Sequence, residues 1–380
     1  MRWKRRSVAK VVLTGSLLAA VLPPGIDWEL VYASTTSSAN VVHSDQELQR
    51  TLLSAMNQRL SQVQFVYQGK TNQLKGQLKN ALEQALESDP YMNYTIESYG
   101  YSYSGNTKSA NVSVQLGYRE TVAQTAYVSR RVESILGSII KPGMNDHEKI
   151  KAIHDWVVLH LKYDETLQKY TAYDGLSSGS TVCQGYSLLT YKMLKEAGIT
   201  SRIVEGTAAP RDTGISQLHA WNLVLLDNKW YHLDTTWDDP APDKAGEIGI
   251  GYYLRTDAQI RKDHSWTKSY PAANTLYRDT LKKLIKQNDS HQSYYKKLER
   301  ELEYQLYEPG EIVNSSSQLR TKVRAVIKQG GHSLLLRYSA GHENLMDDLQ
   351  DLYRLGVSSI SYVENELDET DDLRVYVTWK

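Results

Sequence analysis

Three side chains have the types and order needed for covalent chemistry: Cys183 in Thr181-Val182-Cys183-Gln184-Gly185-Tyr186-Ser187, His219, and Asp234. Cys183 is the single cysteine among 380 residues, so it has no partner for an internal disulfide. A thiolate is a strong nucleophile, a histidine can take up and return its proton, and a carboxylate can hold that histidine in one orientation. Cysteine, histidine and aspartate in this chain order point to a thiol acyltransferase or a thiol hydrolase. The competing reading is a small apolar residue packed in a core, the common fate of a lone buried cysteine.

Local pattern says how these groups are positioned. Val182, Tyr186, Leu189, Met193 and Ala197 recur at helical spacing and Gly198 is a natural stop. A helix with Cys183 in its first turn follows, capped by Ser180 or Thr181, and the positive end of its dipole favours a thiolate. His219 opens the strand-like run His-Ala-Trp-Asn-Leu-Val-Leu-Leu, and Asp234 closes the run Lys-Trp-Tyr-His-Leu-Asp. If Asp227-Asn228 is a two-residue turn, Leu226 faces Lys229, and Asp234 falls on the same sheet face as His219, one diagonal away. Diagonal neighbours lie roughly 7–8 Å apart at Cα, within reach of a carboxylate-to-imidazole hydrogen bond. A three-residue turn would put the two on opposite faces. Asp238 and Asp239 are rival carboxylates, but Asp-Asp-Pro reads as a loop after the strand.

Together these blocks resemble the transglutaminase-like core, specifically its secreted bacterial members. The resemblance is carried by Val182-Cys183-Gln184-Gly185-Tyr186-Ser187 with its helix, by His219-Ala220-Trp221-Asn222-Leu223-Val224, and by Trp230 through Pro240. Ile153-His154-Asp155-Trp156, Lys162-Tyr163-Asp164 and Gly198 to Gly206 also look like that family, so the likeness runs from about Lys141 to Pro271. It implies a papain-like α+β core with an antiparallel sheet, Cys183 as nucleophile, His219 as general base and acid, and Asp234 as its orienter. The separations, 36 residues from Cys183 to His219 and 15 from His219 to Asp234, suit this compact core. They do not suit a papain-type peptidase proper, whose histidine lies much further downstream. The backbone N–H of Cys183 is one expected oxyanion donor; Tyr163 and Trp237 are candidates for the second, and Trp221 and Trp237 for the walls of an acyl channel. Core packing is the alternative for both tryptophans.

The first residues read as an export signal. Arg2, Lys4, Arg5, Arg6 and Lys10 precede an apolar stretch from Val11 to Leu22, too short to span a bilayer, and Val31-Tyr32-Ala33 predicts cleavage after Ala33. Removing 1–33 takes five basic and two acidic residues from 44 of each and leaves 39 against 42. The mature chain is therefore nearly neutral, without a basic field for nucleic acid or anionic membrane, and with no apolar run long enough to cross one. A secreted or cell-surface location is expected, with stability drawn from buried cores.

Two flanks surround the central segment. Within 34–120, a helix from Ser44-Asp45-Gln46-Glu47 to about Leu60, a strand Val63–Tyr67, a helix Thr71–Glu87 and strands Met92–Tyr103 and Asn111–Arg119 give the order α-β-α-β-β. Within 315–380 the order repeats: helix Gln318–Lys328, strand Ser333–Tyr338, helix His342–Leu355, strands Ser358–Glu364 and Leu373–Trp379. Leu48-Gln49-Arg50-Thr51 aligns with Gln318-Leu319-Arg320-Thr321, and Val66-Tyr67 with Arg337-Tyr338, as expected of two related small α/β domains. Chance similarity of a common arrangement is the alternative. The domains expected are thus a signal peptide 1–33, a domain 34–120, a catalytic domain 121–271, a helical linker 272–314 and a domain 315–380.

No cofactor is expected. His147, His154 and His160 lack metal-ligand spacing, and no dense carboxylate loop suggests calcium. Protein or peptide substrates, at the cell wall or surface, are the expected partners, with an amine acceptor or water to resolve an acyl-enzyme. The alternative function is a non-catalytic extracellular or cell-wall binding module that keeps the core for stability.

Overall fold

In the computed structural model, described over residues 11–12, 40–210, 214–240, 246–287 and 289–380, the apolar periodicity resolves into two compact units. One comprises Met1–Leu254 with Ile260–Ala273, the other Arg255–Gln259 with Asn274–Lys380. The expected signal peptide lies outside the described residues except for Val11–Val12, which run parallel to Gly100–Tyr101.

In the first unit, the helix Asp45–Asn57 starts at Ser44, whose hydroxyl accepts the Glu47 N–H at 3.3 Å. The Glu47 carboxylate reaches back to the His43 N–H at 2.7 Å, one residue earlier than a capping box requires. Leu48, Leu52, Ala55 and Met56 form its buried stripe, and Leu74, Leu78, Leu82 and Leu86 that of the following helix, Leu74–Glu87. Both cover one face of an antiparallel sheet built from Gln62–Gln68, Ser109–Tyr118 and Ile96–Gly105, with Phe65, Val112, Val114, Tyr99 and Tyr101 buried beneath them. Each such aliphatic or aromatic side chain contributes roughly 1.5–3 kcal/mol on burial. Met92–Thr95 is helical, not strand as expected. Asp89 caps the Tyr91 and Met92 N–H groups and Pro90 occupies the first helical position, so the chain turns once before the strand begins at Ile96.

The central segment carries a second antiparallel sheet in the order Lys229–Leu233, Gln217–Leu226, Ser201–Ala208, His264–Ser265. Asp227 and Asn228 both adopt positive φ (49° and 59°), the pair required for a type I′ turn, and Leu226 pairs with Lys229. Helix Cys183–Glu196 packs on this sheet. Helices Val122–Ile139 and Asp146–His160 lie alongside, each started by a full capping box, Thr121 with Gln124 and Asn145 with Glu148. Ile150, Ile153, Val157 and Leu161 are buried, as their spacing predicts.

The second unit contains helices Tyr277–Gln287 and Gln292–Glu301 followed by a four-stranded sheet in the order Ile312–Val313, Ser333–Tyr338, Leu373–Thr378, Ser361–Glu366. Helices Ser316–Lys328 and Gly341–Gln350 supply Leu319, Val323, Leu345 and Leu349 to its core. Its connectivity matches that of the sheet around Gln62–Gln68. In both, a short strand pairs in parallel at equivalent positions, Val41–Val42 with Val66–Tyr67 and Ile312–Val313 with Arg337–Tyr338. The last hairpin starts at Ser361 instead of Ser358, after a positive φ of 50° at Ser359.

Candidate functional site

Cys183 is the first residue of its helix and 6% exposed. The N-cap is Val182, with no side chain closing the terminus; neither Ser180 nor Thr181 caps it. The Thr181 hydroxyl instead donates to the Lys169 carbonyl at 3.1 Å, and Ser180–Thr181 pairs in parallel with Lys162–Tyr163. This leaves first-turn N–H groups and the helix dipole directed at whatever occupies the space before Cys183. Gly185 is needed for this start: a Cβ there would lie 1.9 Å from Thr181 Oγ1 and 2.8 Å from the Thr171 carbonyl.

Hydrogen bonds clamp the helix to the histidine strand. Ser187 Oγ lies 2.7 Å from both the Cys183 and Ala220 carbonyls, Asn222 Nδ2 donates to the Ser187 carbonyl at 3.1 Å, and the Thr190 and Thr235 hydroxyls meet at 3.1 Å. Ala220 follows His219 directly, so this clamp sets the depth at which the imidazole meets the thiol. His219 stands beside Cys183, and its Nε2 engages Asp234 Oδ2 at 2.6 Å. Burial disfavours the imidazolium, but the Asp234 carboxylate, with Cys183 alongside, outweighs it and holds the His219 pKa up to about 10. Asp234 is fully buried, which opposes its charge, yet His219 and His264 together keep it well below the usual carboxylate range.

The structure thus brings Cys183, His219 and Asp234 together. The two-residue turn is the reason: pairing runs in register from Lys229 to Leu233, and Asp234 leaves the ladder one residue later on the His219 face. The rival carboxylates are engaged elsewhere. Asp238 accepts from His154 Nε2 (3.0 Å) and the Tyr252 N–H (2.8 Å), and Asp239 from the Tyr186 hydroxyl (2.5 Å).

A groove of about 600 Å³ opens over His219, lined by Tyr163, Leu218, Trp237, Asp239 and Pro240 among others. Tyr163 is 40% exposed on its wall; burial of the phenol and the nearby Cys183 push its pKa up, so it remains a protonated donor. Trp237 lies across His219 with ring centroids 5.8 Å apart. Trp221 belongs beneath the site, not in the groove wall. It is 1% exposed, stacks on His219 at 5.7 Å, and spends its indole N–H on His232 Nδ1 at 2.9 Å.

One participant was missed from sequence. His264 places Nε2 3.1 Å from Asp234 Oδ2, the same oxygen that His219 uses, and Nδ1 2.5 Å from Asp263 Oδ1. Asp263-His264 lies 29 residues past Asp234, with no spacing to link them; the adjacent carboxylate was the one local signal. Ligand atoms of His219, Asp234 and His264 all lie within 4.8 Å of one another, and hydrogen bonds among these atoms account for the convergence. His147, His154 and His160 take separate partners: Asp227, the Asp155–Asp238 pair, and the Trp156 ring and carbonyl.

Residues 133–235, which contain Cys183, His219 and Asp234, match the family described as the transglutaminase-like superfamily. The kyphoscoliosis peptidase of Mus musculus is 28% identical over 159 residues, covering 37% of this chain and 24% of the mouse protein. Its Homo sapiens counterpart is 29% identical over 150 residues, covering 35% and 23%. The chain therefore spans about a quarter of the length of these relatives. A crystal structure of a TGase aligns over 53% of this chain and 60% of its own at 14% identity, with a TM-score of 0.27.

Proposed function

We propose that the protein is a secreted thiol enzyme in which Cys183 attacks a glutamine or peptide carbonyl. The observation that carries this reading is the hydrogen bond of His219 to the buried Asp234 carboxylate, with Cys183 beside the imidazole at the start of its helix and a groove opening over His219. The Cys183 sulfur adds to the carbonyl carbon, the C–N bond breaks, and His219 gives its proton to the departing amine, leaving a thioester. An incoming amine or water then loses a proton to His219 and attacks the thioester, releasing the thiolate. The Cys183 N–H stabilises the oxyanion, with Tyr163 or Trp237 as the second donor.

Cross-linking, deamidation and peptide hydrolysis share this first half. The name peptidase on both mammalian relatives favours hydrolysis. We assign the protein to the cell exterior, with the two flanking α-β-α-β-β segments presenting wall or surface proteins as substrate. The test incubates the chain and its Cys183→Ala variant with a glutamine-containing peptide and a primary amine, following mass and ammonia. Amine incorporation lost in the variant identifies a transglutaminase, ammonia release alone a deamidase, and backbone cleavage a peptidase. Identical inertness of both proteins across a peptide panel would favour a non-catalytic extracellular binding module.

A further inference from the structure

We propose that His264, locked by Asp263, is a positioning residue that tempers the charge of the Asp234 carboxylate and thereby sets how tightly His219 holds its proton. This rests on the thiol-enzyme reading above and adds a group that the Cys183, His219, Asp234 set does not contain.

Every lone-pair direction of Asp234 is in use. Oδ1 accepts the Thr236 and Trp237 N–H groups at 2.9 and 3.3 Å, and Oδ2 is shared between the Nε2 atoms of His219 and His264 at 2.6 and 3.1 Å. His264 in turn has a carboxylate at each ring nitrogen, Asp234 at Nε2 and Asp263 at Nδ1, and Asp263 is fixed by the Tyr252 hydroxyl at 2.7 Å. A neutral imidazole carries one N–H, so only the imidazolium donates to both carboxylates. Burial opposes that charge, but the bonds to Asp234 and Asp263 outweigh it and raise the His264 pKa above its ordinary value.

The charged or titratable groups bearing on His264 are Asp263 from its own segment, Asp234 from the strand end, and His219 from the neighbouring strand, whose cation acts against it. Its other neighbours are the rings of Trp221, Trp237 and Tyr252 at 5.0, 4.5 and 5.3 Å. A cation bonded to Asp234 weakens the pull that this carboxylate exerts on His219. An imidazolium held by an untempered carboxylate is a poor acid toward a leaving amine, because transfer is most efficient when donor strength lies near the working pH. Gly206 makes the approach possible. It pairs with His219 in the ladder, and a Cβ there would meet the Ser265 carbonyl oxygen at 2.0 Å and Trp221 Cη2 at 2.9 Å.

The test needs no knowledge of the substrate. Alkylation of Cys183 by iodoacetamide is followed against pH in the full chain, His264→Gln and Asp263→Asn, with circular dichroism to confirm folding. Removing a positive charge about 5 Å from His219 makes both partners hold their protons to higher pH, so the midpoint for ion-pair formation rises by about one pH unit in His264→Gln. Asp263→Asn, which no longer demands the second proton on His264, shifts it the same way by less, and it serves as the probe should His264→Gln fail to fold. Midpoints equal to wild type in the folded variants, with a lower melting temperature alone, overturn the assignment and leave a packing role. A wild-type thiol that reacts below neutral pH no faster than free cysteine overturns the enzyme reading itself, and this assignment with it.

Discussion

Among the described residues of the first unit, two carboxylate–imidazole–carboxylate chains built on buried histidines differ in how they end. Asp155–His154–Asp238 is closed. Lys151 Nζ reaches Asp155 at 2.6 and 2.8 Å, Asp238 accepts the Tyr252 N–H, and the His154 ring is fully buried against Tyr253. Asp263–His264–Asp234 is open. Its last carboxylate hands on to His219, which lines the groove and stands beside the Cys183 thiol. The same donor set is a fastener when a cation terminates it and a proton device when a nucleophile does. The closed chain ties helix Asp146–His160 to the loop after strand Lys229–Leu233, so it holds the platform on which the open one works.

Substituting the two histidines separates these roles. His219→Ala is expected to slow Cys183 alkylation at pH 6 by about 10²-fold or more, with a smaller loss in urea denaturation than His154→Ala because His264 and two backbone N–H groups still hold Asp234. His154→Ala is expected to do the reverse, losing about 3–5 kcal/mol of stability because the buried Asp238 carboxylate loses its imidazole donor and a cavity opens at a fully buried ring, with alkylation of the folded fraction close to wild type. Equal stability losses in the two variants would erase the distinction.

Gly206→Ala sharpens the comparison within the open chain. The added methyl collides with backbone, not with a movable side-chain tip, so the His264–Ser265 strand must retreat. The expected cost is about 1–3 kcal/mol in urea denaturation, together with the alkylation shift of His264→Gln. A stability loss with an unshifted alkylation profile would mean the strand moves without disturbing Asp234.

The smallest effect is in the pH dependence of the closed chain. Burial lowers the His154 pKa, but its bonds to Asp155 and Asp238 outweigh this and leave it raised in the folded protein. The stabilisation is therefore fully present below the ordinary histidine pKa and fades as pH rises through the elevated folded value. Wild type should lose part of its margin over His154→Ala across that range, measured by urea midpoints at successive pH values. A margin that grows with pH would show that His154 is buried neutral.

Much of this was legible from sequence, for identifiable reasons. The Asp227-Asn228 dipeptide, which tolerates positive φ at both central positions, places Asp234 on the His219 face, helical periodicity puts Cys183 in a first turn, and the resemblance to the transglutaminase-like core joins thiol to imidazole. Local rules failed where tertiary structure chose among equals. Ser180 and Thr181 look like caps, but backbone pairing with Lys162–Tyr163 took them away from the helix. The helix Pro90–Thr95 had its signal in Asp89-Pro90, hidden by strand-forming tyrosines. His264 reaches Asp234 across a long, irregular connection, and no spacing rule survives such a stretch; only the sheet brings the two within hydrogen-bonding distance. Trp221 and Trp237 are the same residue type on either side of His219, and pattern did not separate the core ring from the groove ring.

The first-turn cysteine also has an oxidative fate. With no second thiol in this chain, a sulfenic acid formed at Cys183 has no internal resolving cysteine, and its return to the thiol depends on a reductant or thiol from another molecule. Its 6% exposure admits small oxidants far more readily than a protein disulfide partner. Occupancy of the groove by substrate would then double as protection of the sulfur.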